Sequence, residues 1–162
     1  MTERLYRGKR TDNGEWVEGG FVFDPFLKIA YIVKVLENAE KIPIFYHIQV
    51  DTKTVAPWSG LSDVDGKDIF RDDILAQIDR YDPKKIRHCI VKYGEFNCSC
   101  CGGVYGWTLD GQHADIRDFE GDMWNPLYKV VGNIHDNPEL IEAWEREKHV
   151  PFYTKKIEEA KE

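Results

Sequence analysis

No apolar run in this 162-residue chain approaches the roughly 20 residues that a membrane-crossing helix needs. The amino end, "MTERLYRGKR", is basic but has no apolar stretch behind it, so no secretory signal is expected and the cytoplasm is the expected compartment. Positive charge is in deficit: 22 Lys and Arg stand against 29 Asp and Glu, a net charge of −7. Proteins that bind nucleic acid draw much of their affinity from neutralising phosphates, so nucleic acid is an unexpected partner. The Gly-rich and nucleophile-elbow patterns GxGxxG, GxxxxGK[ST] and GxSxG are all missing, which removes the common nucleotide-binding and hydrolase signatures. There is no internal repeat.

What is present is a globular composition, 42% hydrophobic and 13% aromatic, enough for one domain with a real core. Aromatic and β-branched residues dominate the apolar set, which favours strands. Leu5–Arg10 and Glu15–Phe23 read as a hairpin around Asn13-Gly14, the dipeptide suited to a type I′ turn. Asp24-Pro25 breaks the pattern, and "LKIAYIVKV" (27–35) and "IPIFYHIQV" (42–50) read as two further strands, the first alternating only partly. "DDILAQID", "IRHCIVKYG", "GVYGWTLD" and "LYKVVGNIHD" follow as strands. A helix is expected from Asn137 as N-cap, with Pro138 at its first position and Leu140, Ile141 and Trp144 facing the core. The expected architecture is therefore all-β, with six to nine strands and one C-terminal α-helix. Three regions are expected: an N-terminal β-hairpin and β-sheet region (1–58), a β-barrel region (59–136), and a helix with a polar tail (137–162).

The stretch "GLSDVDGKDIFRDDIL" (60–75) carries five aspartates. As an EF-hand loop it fails in either register: Asp63 at position 1 puts Lys67 at position 5 and Ile74 at position 12, and alignment on Gly66 puts Leu61 first. As a catalytic pair, Asp72 and Asp73 are neighbours on a strand and should point to opposite faces. Asp65-Gly66 as a hairpin turn feeding a strand at "RDDIL" accounts for more of the residues.

Three segments carry a resemblance. "YRGKRTDNGEWVEGGFV" (6–22), "VDTKTVAPWSGLSDVDGKDIFRDDIL" (50–75) and "VVGNIHDNPELIE" (130–142) are similar, in order, to the signatures of the YopX-like proteins of phages and prophages in Gram-positive bacteria. The resemblance implies a small SH3-like barrel around the central motif, homo-oligomers, and no known catalytic activity. Two departures stand out. Pro57-Trp58 replaces the usual Gln-Tyr, and Asp72 stands where the family pattern has glycine. Glycine there would permit a left-handed backbone, so Asp72 is expected to be left-handed or strained. His135 replaces a usual tyrosine, which suggests packing or surface placement.

Other constellations are weaker. Cys98 and Cys101 form a C-x-x-C with Cys100 between them, and Cys89 lies on the preceding strand. If "YGEFN" turned back, the four thiols Cys89, Cys98, Cys100 and Cys101 could hold a structural zinc; reduced loop thiols are the plainer reading, and no metal or cofactor is expected. His47, His88, His113, His135 and His149 are scattered without recognisable catalytic partners. "RYDPKKIRH" (80–88), with Lys84, Lys85 and Arg87, is the best basic patch, and Phe119 and Trp124 lie in a long polar loop (110–126) that also follows Tyr105 and Trp107. These five residues form the candidate interaction surface. The expected function is a non-enzymatic interaction protein with a host or phage protein partner. A nucleic-acid or nucleotide-binding barrel and an uncharacterised enzyme are the alternatives.

Overall fold

The computed structural model describes residues 5–37, 41–78, 86–98, 102–109 and 127–141. Ten strands account for most of them: β1 (Tyr6–Lys9), β2 (Trp16–Asp24), β3 (Ile29–Glu37), β4 (Pro43–Val50), β5 (Ala56–Ser62), β6 (Asp68–Phe70), β7 (Asp73–Ile78), β8 (Ile86–Cys98), β9 (Gly102–Leu109) and β10 (Leu127–Asn133). They form two antiparallel sheets, ordered β4-β3-β2-β1-β5-β6 and β10-β7-β8-β9. The all-β expectation holds. The expected C-terminal helix starts at residues 138–141, and Trp144 lies outside the described residues.

The chain divides into two compact units. One holds the described residues up to Ser62 together with Gly66–Arg71, and the other holds Asp63–Asp65 and the described residues from Asp72 onward. β5 pairs with β1 and β6 pairs with β5, which draws Gly66–Arg71 into the first unit. The central motif thus supplies β6 to one sheet and β7 to the other.

In the first unit β2 changes partner midway. Tyr6 to Lys9 pair with Gly19 to Trp16, and Gly20 to Asp24 then pair with Val33 to Ile29. A Cβ at Gly19 would collide with the Val33 carbonyl oxygen, so the sharp coil at this switch requires glycine. The strands curl far enough for Arg10 and Val50 to form an antiparallel bridge, with Asp51 N donating to the Lys9 carbonyl at 2.8 Å. The end of β4 is thereby returned to β1. The inner face buries Val17, Ala30, Ile32, Val50 and Val55, with Tyr6 and Ile48 packed against them.

The turn after β1 departs from expectation. Type I′ needs positive φ at both Asn13 and Gly14, but only Gly14 has it, at 75°. The loop is instead one of four residues: Arg10 N donates to Glu15 O at 2.8 Å, and Gly14 N to Arg10 O at 3.1 Å. Asn13 contributes its side chain, whose Oδ1 accepts from Glu15 N at 3.0 Å. The side chain, rather than a left-handed backbone, is what this asparagine supplies.

In the second unit β7 is central and buried on both faces, Ile74 and Leu75 alike. Ala76, Cys89, Ile90, Val91, Leu109, Tyr128 and Val130 are buried with them. No described helix is long and apolar enough to cross a membrane.

Candidate interaction surface

The acidic central stretch is a joint. Gly66 has φ +80° and closes the β5–β6 hairpin, where Ser62 Oγ donates to Asp68 Oδ1 at 3.0 Å. Asp63 accepts from Asp65 N through Oδ1 at 2.9 Å and from Val130 N through Oδ2 at 2.9 Å. Val64 N donates to the Tyr128 carbonyl at 3.1 Å, and Asp65 pairs with Lys129 at 2.8 Å, which raises the lysine's pKa. Two turn acids of the sequence are therefore clamps on β10. Asp72 has φ +68°, left-handed as expected where the family pattern has glycine. Its N–H donates to Val91 O at 2.8 Å and its carbonyl accepts from Ile134 N at 3.0 Å. Asp73, its neighbour, is buried. The aspartates are distributed among backbone positions and do not converge on one point.

The other signatures are also joints. The Arg7 guanidinium is buried between the rings of Trp16 and Phe70, 4.8 Å from each centroid, which joins the first signature to the second. Asn133 Oδ1 accepts from His135 N at 2.9 Å and Asp136 N at 3.0 Å, locking the turn after β10. Gly132 lies against Asn137: an added Cβ would come within 2.8 Å of Asn137 Cγ.

Of the four-cysteine grouping, Cys89 and Cys98 are held apart. Cys89 and Cys98 lie nine residues apart on the single continuous strand β8, about 30 Å at strand rise. "YGEFN" continues the strand instead of turning back, so Cys89 cannot join a site at Cys98. Cys89 is buried, its Sγ 3.5 Å from the Leu75 carbonyl it donates to, and burial pushes its pKa up to about 12. Cys100 and Cys101 lie outside the described residues, as do Lys84, Lys85, Phe119 and Trp124; for Cys98 and Arg87 only the backbone is described. Among the described residues no group of three or more His, Cys, Asp or Glu is placed to hold a metal ion. Trp107 packs on its cross-strand partner Tyr93, centroids 4.9 Å apart.

A groove of about 460 Å³ lies where β1 meets the end of β4, lined by Lys9, Arg10, Lys28, Gln49, Asp51 and Thr52 among others. Arg10 donates twice to Asp12, at 2.8 and 2.6 Å, and this hydrogen bonding holds the Asp12 carboxyl below its ordinary range.

The prominent surface is apolar, and strand periodicity alone does not mark it as a surface. Beyond Val33, β3 has no partner on the β2 side, so Lys34–Glu37 and Pro43–Tyr46 form a two-stranded arm. Both faces of the arm are apolar and exposed: Leu36, Ile44 and Tyr46 on one, Val35 and Phe45 (60% exposed) on the other. At the opposite end of β3, the β2–β3 turn holds out Phe26 (92% exposed) and Leu27 (67%). Eleven of the fifteen exposed large hydrophobic side chains among the described residues fall between Phe21 and Tyr46, which makes this a concentration and not scatter. The readable signal was the imperfect alternation of "LKIAYIVKV", apolar on both faces where a half-buried strand should be polar on one.

A family model described as "YopX protein" matches residues 5–142 of the chain. A crystal structure of protein EF1440 from Enterococcus faecalis is similar in fold, with a TM-score of 0.57 and 21% identity over 85% of this chain and 96% of that one. No curated protein matches.

Proposed function

The chain belongs to the YopX family, and from that premise we propose that it works by binding protein surfaces rather than by catalysis. The observation that carries this reading is the β3–β4 arm. An isolated two-stranded ribbon is marginal in water, and exposed apolar patches of this extent mark interaction sites. Its outer strand β4 contains no charged residue from Pro43 to Val50, so it lacks the charges that usually protect a sheet edge. The signature motifs, where conserved chemistry would be sought, are occupied with turns and strand junctions. On this reading the protein is a phage or prophage accessory factor of the bacterial host cytoplasm, a homo-oligomer that also engages a host or phage protein.

The test uses the purified chain as bait in host lysates, across growth and infection, beside a Leu36→Lys, Phe45→Lys variant. Proteins retained by the native chain and lost from the variant support the reading. Equal retention by both, or nothing above background, overturns it.

A further inference from the structure

The outer edge of the arm has a polarity that is set by the rungs beside it. Thr11 N donates to the Gln49 carbonyl at 3.2 Å, and Asp51 N to the Lys9 carbonyl at 2.8 Å. Gln49 therefore turns its backbone groups away from β3, toward Thr11. The β3–β4 register runs without a shift from Val50 to Pro43, and along an antiparallel strand the bonding direction alternates with each residue. Ile48, Tyr46 and Ile44 accordingly bond inward to β3, while His47, Phe45 and Pro43 face out. Proline has no N–H, so the row ends there. Between Gln49 and Pro43 lie two complete rungs, the N–H and C=O of His47 and of Phe45. Among the described residues β4 is the outermost strand of its sheet on this side.

These rungs decide what can cover the arm. A partner that buries the exposed Phe45 and Tyr46 side chains also takes the neighbouring peptide groups out of water, and buried peptide groups need partners. A helix has none to offer along its length, because its own N–H and C=O groups bond within it. A strand supplies a donor and an acceptor at every second residue, about 7 Å apart, which is the spacing of His47 and Phe45. The chain itself begins such a ladder: the run to Thr11 lies antiparallel along β4 and stops where the Arg10–Glu15 loop turns away.

We propose that this ladder is completed by an extended segment of the partner protein, added antiparallel to β4 over His47 and Phe45. The inference rests on the binding role proposed above and specifies its chemistry. The segment is about five residues long, the number that lie opposite Ile44 to Ile48. It is uncharged and apolar at successive positions, because both faces of the arm beside it are apolar and β4 holds no Asp, Glu, Lys or Arg.

The experiment is amide hydrogen exchange read by NMR on the full chain, alone and with short peptides selected against it from a random displayed library. In the chain alone, the Phe45 and His47 amides are expected to exchange faster than those of Tyr46 and Ile48. A selected peptide should slow Phe45 and His47 by about tenfold or more. Methylating alternate amide nitrogens of that peptide keeps its side chains; in one phase this should abolish binding and in the other leave it intact. His47→Pro, which removes an outward donor, should weaken binding, and His47→Ala should not, each variant being checked for native circular dichroism. A peptide that leaves Phe45 and His47 unchanged, or that tolerates methylation in both phases, docks by side chains alone and overturns strand addition while the binding role stands. Failure to select any peptide also overturns it. So would slow exchange at both amides in the chain alone, which assigns the edge to a second copy where the slowing follows concentration and to the chain's own residues where it does not. Lysate capture by the arm is read separately, so failure here and failure of the binding role are distinguishable.

Discussion

At the residue scale, the backbone of Asp72 makes the clearest demand. Left-handed φ costs an L-residue about 1–2 kcal/mol, less for Asp and most for β-branched side chains. Asp72→Val should therefore lower unfolding free energy by about 1–2 kcal/mol, and Asp72→Gly should be the better tolerated change; urea titration decides. Gly132→Ala forces Asn137 away from its position against β10 and should cost about 1–3 kcal/mol as overpacking. Cys89 offers a chemical check. The residue is 3% exposed, so in a Cys98→Ser, Cys100→Ser, Cys101→Ser background its thiol should resist an aqueous thiol reagent until denaturant is added. Its pKa stands raised, from 9.0 to about 12. Below 9 both states keep the proton; between 9 and 12 only the unfolded chain releases it. Stability should fall as pH rises through that window, by at most about 1.4 kcal/mol per pH unit from this group, and Cys89→Ala should flatten the decline.

At the element scale, Arg7 links two signatures. The Arg7 guanidinium lies over both the Trp16 and Phe70 rings, a placement an ammonium on a thinner stem fills less well, so Arg7→Lys should cost about 1–2 kcal/mol although the charge is kept. A lower urea midpoint with unchanged slope is the expected result. This scale also shows what the sequence could and could not disclose. The strands were legible because aromatic and β-branched runs alternate between turn residues. Asp72 was legible because a family pattern marked a glycine position. The Asn13-Gly14 turn was misread because the dipeptide suits more than one loop, and the loop length was settled by the Arg10–Glu15 pairing. Cys89 is kept from Cys98 for a similar reason: "YGEFN" contains a glycine, yet its residues pair with β9 through Gly94 and Gly106, and the strand runs on. The arm was invisible because strand periodicity shows which faces are apolar, whereas the loss of a neighbour beyond Val33 depends on β2 switching to β1. That switch is a long-range event written in Gly19.

At the scale of the whole molecule, the charge distribution makes a prediction of definite sign. Each copy carries −7, all of it outside residues 20–50, so copies of the homo-oligomer proposed above would repel as they approach, except across this neutral, apolar segment. The Debye length shrinks from about 10 Å at 0.1 M salt to about 3 Å at 1 M, which screens the repulsion and leaves apolar burial intact. Kosmotropic anions strengthen such burial further. Self-association should accordingly tighten as sodium chloride rises from about 0.05 to about 0.5 M, and tighten more in sulfate. An interface held by ion pairs would loosen over the same range, and so would binding to phosphates, whose affinity falls steeply with salt. Sedimentation equilibrium across that series reads the sign directly. Weakening with salt would place the contact among charged residues, such as the basic run at Lys84 and Lys85, instead of on the apolar segment.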